Sequence, residues 1–269
     1  MKLMLTDIDG TILPWKTKRV SERTRRAFHA AIDAGDVVGV CSGRGLSWIP
    51  AFFDNDAACY ATAIATNGMQ IYHDGACVYE KHLPHDSLVR VADIVRAWPG
   101  AGLLCFVGVT PHLVIGNVDD LAPIFPGYAE ASVPDSSVPD VPIVKANVFV
   151  TGGRERHQQL VGEINREVEG LTLDLARAGF SNIMLTGWDK GTAATYLRDL
   201  LGVKPEDVFV FGDANNDLPM FRDVENSVAV ANATEEAAAA ARWHIGSVAE
   251  DSVADAIERL SAGEFPFTH

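Results

Sequence analysis

Two aspartates stand two residues apart in Thr6-Asp7-Ile8-Asp9-Gly10-Thr11, directly after the apolar run Leu3 to Leu5. Unpaired buried carboxylates are costly, so an interior strand that stops on two acids holds them for a purpose. Two more acids, Asp213 and Asp217, follow the apolar run Val208 to Phe211 in Gly212-Asp213-Ala214-Asn215-Asn216-Asp217. Like charges ~4 Å apart repel by about 4 kcal/mol at an effective dielectric near 20. Carboxylates gathered that closely either take up protons or demand a cation. Hard oxygen donors without cysteine or histidine suit Mg²⁺, which keeps waters and leaves coordination open for a phosphate oxygen.

The residues that accompany these acids fit phosphoryl transfer. An aspartate such as Asp7 can be a nucleophile, because an aspartyl-phosphate splits one hard hydrolysis into two easier steps. Asp9 can protonate the leaving oxygen and later activate water. Ser42 ends the run Val37 to Cys41 and opens Ser42-Gly43-Arg44; its hydroxyl and the Gly43 N–H can hold phosphoryl oxygens. Lys190, at the start of a helix-like segment from Gly191 to Leu201, can supply a point positive charge to the same oxygens. Taken singly, each fragment has an ordinary reading as a turn, a helix cap or a surface lysine. Their shared placement at strand ends argues for chemistry, since the carboxyl ends of an open parallel sheet line one crevice.

The elements that must position these residues alternate along the chain. Leu3 to Leu5, Val37 to Val40, Val208 to Phe211 and Val228 to Val230 are apolar on both alternations, as strands covered on both faces are. Ser21 caps an amphipathic segment with Ala27, Phe28, Ala31 and Ile32 on one stripe and Gly35 as its stop. Further helices are predicted over Gly191 to Leu201, Glu235 to Arg242 and Val253 to Leu260. Such alternation predicts a doubly wound parallel α/β sheet. The middle differs, with a helix at Asp86 to Trp98 and a hairpin turning at Thr110-Pro111. A proline-rich stretch follows, then a strand at Ile143 to Val150 and a helix at Glu155 to Val168. Strands are predicted near Leu171 to Leu175 and Asn182 to Leu185. The expected division is a core of residues 1–82 and 186–269 with an α+β cap of residues 83–185 inserted.

Bulk properties narrow the partners. The 269-residue chain carries a net charge of -14, which argues against nucleic acid and anionic membranes, both of which favour a basic face. No apolar run approaches the ~20 residues of a membrane span, and the first strand begins at once, leaving no room for a signal peptide. The cytoplasm is the expected compartment. Cys41, Cys59, Cys77 and Cys105 show no metal-ligand spacing and read as small buried apolar residues.

Together these motifs resemble the haloacid dehalogenase superfamily of phosphohydrolases, whose signature runs DxDGT, a hydroxyl residue after the second strand, a lysine, then GDxxND. The resemblance implies Asp7 as nucleophile and metal ligand, and Asp9 as acid/base with its backbone carbonyl on the metal. It implies Ser42 and Lys190 as phosphate ligands, Asp213 as a further Mg²⁺ ligand and Asp217 as support for the metal shell or for Lys190. Asn216 is similar to a phosphate or substrate contact. An insert between Ser42 and Lys190, together with Asn67-Gly68 and Val230 to Ala233, resembles the Cof-type subfamily, with serine where threonine is usual. That subfamily implies small phosphorylated metabolites, sugar phosphates above all, as substrates. A cap closing over the crevice is expected to choose among them; Arg44, Trp48, Lys145, Arg154, Arg177 and Asn182 could reach a leaving group, though for each a solvated or packing role is the commoner reading. A sugar phosphomutase and a non-catalytic ligand-binding protein on the same fold stand as alternatives.

Overall fold

The computed structural model describes residues 1–175 and 177–267. The chain begins with β1 (Leu3–Thr6), α1 (Glu22–Asp33), β2 (Val37–Cys41), β3 (Ala63–Ala65), β4 (Gln70–His73) and β5 (Ala76–Glu80). Next come α2 (His85–Arg96), β6 (Ala101–Val107), β7 (Thr110–Ile115), α3 (Val118–Leu121), α4 (Pro126–Ala131), β8 (Val133–Pro134), β9 (Ala146–Val150), α5 (Arg154–Glu167), β10 (Leu171–Leu173) and β11 (Phe180–Leu185). The chain closes with α6 (Lys190–Leu201), β12 (Val208–Gly212), α7 (Leu218–Asp223), β13 (Asn226–Val230), α8 (Glu235–Ala240), β14 (Trp243–Ile245) and α9 (Ser252–Ser261). Two compact units result, Met1–Glu80 with Trp188–His269, and Lys81–Gly187.

The first unit holds a sheet in the order β14-β13-β12-β1-β2-β3-β4-β5. It is parallel from β14 to β3. Strand β1 shows why its run is apolar on both alternations. Met4 joins a core with Phe28 of α1 and Ile257 of α9, while Leu3 and Leu5 join a second core with Leu197 of α6 and Met220 of α7. Helix α1 therefore covers one face and α6 and α7 the other, so the winding reverses between β12 and β1, the place where such sheets bind ligands. As expected, Ser21 caps α1, its Oγ accepting from Thr24 N at 3.0 Å. Helix α6 begins at Lys190 because Asp189 and Thr192 form a reciprocal capping box.

An antiparallel hairpin, β4 and β5, extends the parallel core at its edge. Three expectations are corrected. Arg242 lies beyond α8, and the residues after it form edge strand β14. In the second unit the hairpin turns at Gly108-Val109, leaving Thr110 and Pro111 inside β7. Cys77 is exposed, unlike Cys41, Cys59 and Cys105.

The second unit carries a sheet in the order β10-β11-β9-β6-β7-β8. Its pairs are antiparallel apart from the short β7–β8 pair. Phe106, Tyr128, Phe149 and Phe180 form a core cluster with Leu121 of α3. Among the described residues no helix is long and apolar enough to cross a membrane.

Candidate active site

Asp7, Ser42 and Asp213 are each the first residue past β1, β2 and β12. These strands are parallel neighbours in register, so their ends fall on one sheet edge. Lys190, the first residue of α6, is brought to Asp7. Its Nζ donates to Asp7 Oδ1 and to Asp217 Oδ1, both at 2.7 Å. Lys190 is 1% exposed, Asp7 4%, Asp213 5% and Asp217 0%, so this is a buried charge network and not a surface pairing.

Asp217 has both oxygens committed: Oδ2 accepts from the backbone N–H groups of Asp213 and Ala214 at 3.0 and 3.2 Å. That grip folds the turn after β12 back on itself and fixes the direction of Asp213. Gly212 permits the fold, since a Cβ there would lie 2.6 Å from Asp217 Oδ2. Asp213 Oδ1 accepts from Thr11 Oγ1 at 2.8 Å. Gly10, at φ +88°, passes so close that a Cβ would sit 2.4 Å from Asp213 Oδ2. Gly10→Ala is therefore expected to cost about 1–3 kcal/mol in backbone strain and to displace Asp213. Paired melting curves and turnover assays check this, and a variant with wild-type Tm and rate would contradict it.

Electrostatics follow from the burial. Desolvation pushes the Asp7 carboxyl up to about 8, Lys190 opposing and Asp217 and Asp213 adding to the rise. Burial, reinforced by Asp217, brings Asp213 up to about 6. Burial disfavours the Lys190 ammonium too, but Asp217 and Asp7 outweigh it and hold the group above the ordinary lysine range. When all three are ionised, three carboxylates face one ammonium, leaving two negative charges in a dry site. Asp7, Asp213 and Asp217 each offer an oxygen within 4.8 Å of the others, and a divalent cation suits that imbalance. With Asp217 committed to Lys190 and two N–H groups, Asp7 and Asp213 are the better placed to ligate.

Asp9 lies apart from this network. Its oxygens accept from Arg44, Oδ2 from Nε at 2.6 Å and Oδ1 from Nη2 at 2.7 Å. Ser42 is buried, its Oγ accepting from Arg44 N at 3.3 Å. Gly43 sits against the buried amide of Asn67, where a Cβ would be 3.0 Å from Oδ1. Asn216 is half-buried on the turn that carries Asp217.

The candidates for leaving-group contacts fall in varied settings. Trp48 is 38% exposed, and Arg154 is exposed at the start of α5. Lys145 is buried, with Nζ 5.4 Å from the Phe106 ring centroid. Arg177 lies over Phe125, and Asn182 donates through N and Nδ2 to the two Asp174 oxygens at 2.7 Å. Residue-type reasoning missed the Arg44–Asp9 pair and the roles of Thr11 and Asn232. Asn232 Nδ2 donates to Gly10 O at 2.7 Å while its Oδ1 accepts from Val248 N. Both residues sit inside stretches already singled out, Thr11 in the first motif and Asn232 in Val230 to Ala233.

The model of the haloacid dehalogenase-like hydrolases matches residues 4–257. The 5-amino-6-(5-phospho-D-ribitylamino)uracil phosphatase YbjI of Escherichia coli is 24% identical over 272 residues, covering 99% of this chain and 98% of its own. A phosphatase of the same name, YwtE of Bacillus subtilis, is 25% identical over 296 residues, covering 98% and 100%. Among solved structures, the subclass IIB sugar phosphatase BT4131 superposes with a TM-score of 0.82 at 20% identity, covering 97% of this chain and 99% of that one. The chain belongs to the haloacid dehalogenase-like hydrolases.

Proposed function

We propose that this protein is a Mg²⁺-dependent phosphomonoester hydrolase that acts on small phosphorylated sugars and sugar alcohols through an aspartyl-phosphate on Asp7. The buried Asp7–Lys190–Asp217 network carries the reading. A nucleophile needs a carboxylate held still, and Lys190 at 2.7 Å fixes Asp7 in place and offsets part of the burial that raises it. Asp7 attacks phosphorus, and the bond to the leaving oxygen breaks as Asp9 delivers a proton to it. Water, deprotonated by Asp9, then cleaves the phosphoenzyme. The Lys190 ammonium, the Ser42 hydroxyl and the Gly43 N–H bear on the phosphoryl oxygens, and Asn216 is a further contact. Asp217 positions Lys190 and Asp213. Asp7, Asp213 and the Asp9 carbonyl would hold Mg²⁺, which would supply charge neutralisation. Residues 83–185 are the unit we assign to substrate choice.

The leaving-group class rests on the relatives, two of which are named for a phosphoribityl substrate. The test is a panel of sugar phosphates, polyol phosphates, 5-amino-6-(5-phospho-D-ribitylamino)uracil and nucleotides, read as kcat/KM ratios from released phosphate. Turnover confined to nucleotides would overturn the substrate class. No release from any member would overturn the hydrolase. EDTA is expected to silence the enzyme by at least 100-fold, with Mg²⁺ restoring it; full activity in EDTA would remove the metal from the scheme.

A further inference from the structure

Arg44 is the third residue of Ser42-Gly43-Arg44, and its placement is not that of a passing surface partner. Its guanidinium engages both oxygens of Asp9 at 2.6 and 2.7 Å and lies 4.7 Å from the Phe52 ring centroid. A planar fork on a carboxylate with an aromatic floor fixes direction as well as distance. The backbone is pinned too. Arg44 N donates to Ser42 Oγ at 3.3 Å, and Arg44 O accepts from Thr66 N at 2.9 Å. Thr66 and Asn67 both have φ 53°, and Asn67 N donates to Ser42 O at 3.0 Å. Left-handed backbone at two successive non-glycine residues persists only where the surroundings over-determine it. That turn thus clamps the loop that aims Arg44.

We propose that Arg44 is the positioning residue of Asp9 for hydrolysis of the phosphoenzyme, the second half of the reaction; this rests on the reading of Asp7 as nucleophile and Asp9 as acid and base. Both Asp9 oxygens accept from the guanidinium, which aims them as acceptors, the part a base plays. In the first half Asp9 must instead donate to the leaving oxygen, a part this acceptor pose does not serve, so the fork serves the second half. There Asp9 takes one proton from water. The water oxygen bonds to phosphorus, the bond from phosphorus to Asp7 breaks with its electron pair returning to the Asp7 carboxylate, and inorganic phosphate leaves. Without Arg44 the Asp9 carboxylate samples other directions and that step slows, while attack by Asp7 is spared.

Stopped-flow hydrolysis of p-nitrophenyl phosphate by the full chain with Mg²⁺ separates the halves, because its leaving group needs no proton. For Arg44→Ala we expect kcat to fall about 10–100-fold, within the usual range for a misplaced general base. KM should fall with it, leaving kcat/KM within about threefold of wild type, and a burst should approach one p-nitrophenolate per active site. Arg44→Lys should fall between, since an ammonium has no fork. The deciding quantity is the ratio of burst rate to steady rate, to which unfolded molecules do not contribute. Equal losses in kcat and kcat/KM without a burst, or an unchanged kcat, would overturn the proposal. Acid quench of the wild type tells the two readings apart: phosphate never found on Asp7 sinks the nucleophile assignment and the proposal with it. Phosphate on Asp7 with an unchanged burst ratio in Arg44→Ala sinks the proposal alone.

Discussion

Asp7→Asn should reduce turnover by about 10⁴–10⁶-fold, the usual consequence of deleting the nucleophile of a covalent mechanism. The amide keeps the size of the carboxyl and an oxygen for the Lys190 ammonium, so the loss is chemical. Stability should move the other way or not at all. Asp7 is one of three buried carboxylates around a single ammonium, and in metal-free protein its removal relieves repulsion from Asp213 and Asp217. Calorimetry in EDTA is expected to give a Tm equal to or above that of wild type. Residual activity above about 1% with a sugar phosphate would end the nucleophile assignment.

Lys190→Met is expected to have the largest effect on the fold. Methionine fills the channel of the lysine stem but leaves Asp7 and Asp217 without their shared cation. Removing one partner of a buried ion pair costs about 3–5 kcal/mol, because the charge left behind is uncompensated. Here two carboxyl groups lose the same partner, each 2.7 Å from the vacated position. For a chain of this size that is a Tm drop of roughly 10 °C. Adding Asp217→Asn should recover part of it, since the two sites share one contact and their effects do not add. A single variant within 2 °C of wild type would show that solvent, not Lys190, balances the carboxylates. Activity is expected to vanish alongside.

The strand-end motifs were legible because each is contiguous: Asp7-Ile8-Asp9-Gly10-Thr11 needs no distant residue to be recognised, and a parallel sheet carries its carboxyl ends to one edge. Lys190 was less so. Alone it reads as a surface lysine, and only its order among the motifs places it where the structure buries it. The Arg44–Asp9 pair was hidden because a side chain's direction is set by Phe52 and by the turn at Thr66-Asn67, neither near in sequence to Asp9. The β4–β5 hairpin has mixed burial and no clean alternation, yet Asp74-Gly75 at its tip, both at positive φ, is a recognisable hairpin turn pair. Thr110-Pro111 misled in the opposite sense: proline suggested a turn, but the chain had already reversed at Gly108-Val109.

The register of β1 bears on how such a molecule comes into being. One of its neighbours, β2, is made within a few dozen residues, but the other, β12, pairs Leu3 with Val208. A chain growing from its amino end therefore carries β1 with one hydrogen-bonding edge open while some two hundred further residues are synthesised. An open, apolar edge is an invitation to pair with the wrong strand. The same delay keeps Asp7 without its lysine until α6 has been made, so the buried Asp7–Lys190 pair and the closing of that edge arrive late in synthesis and nearly together.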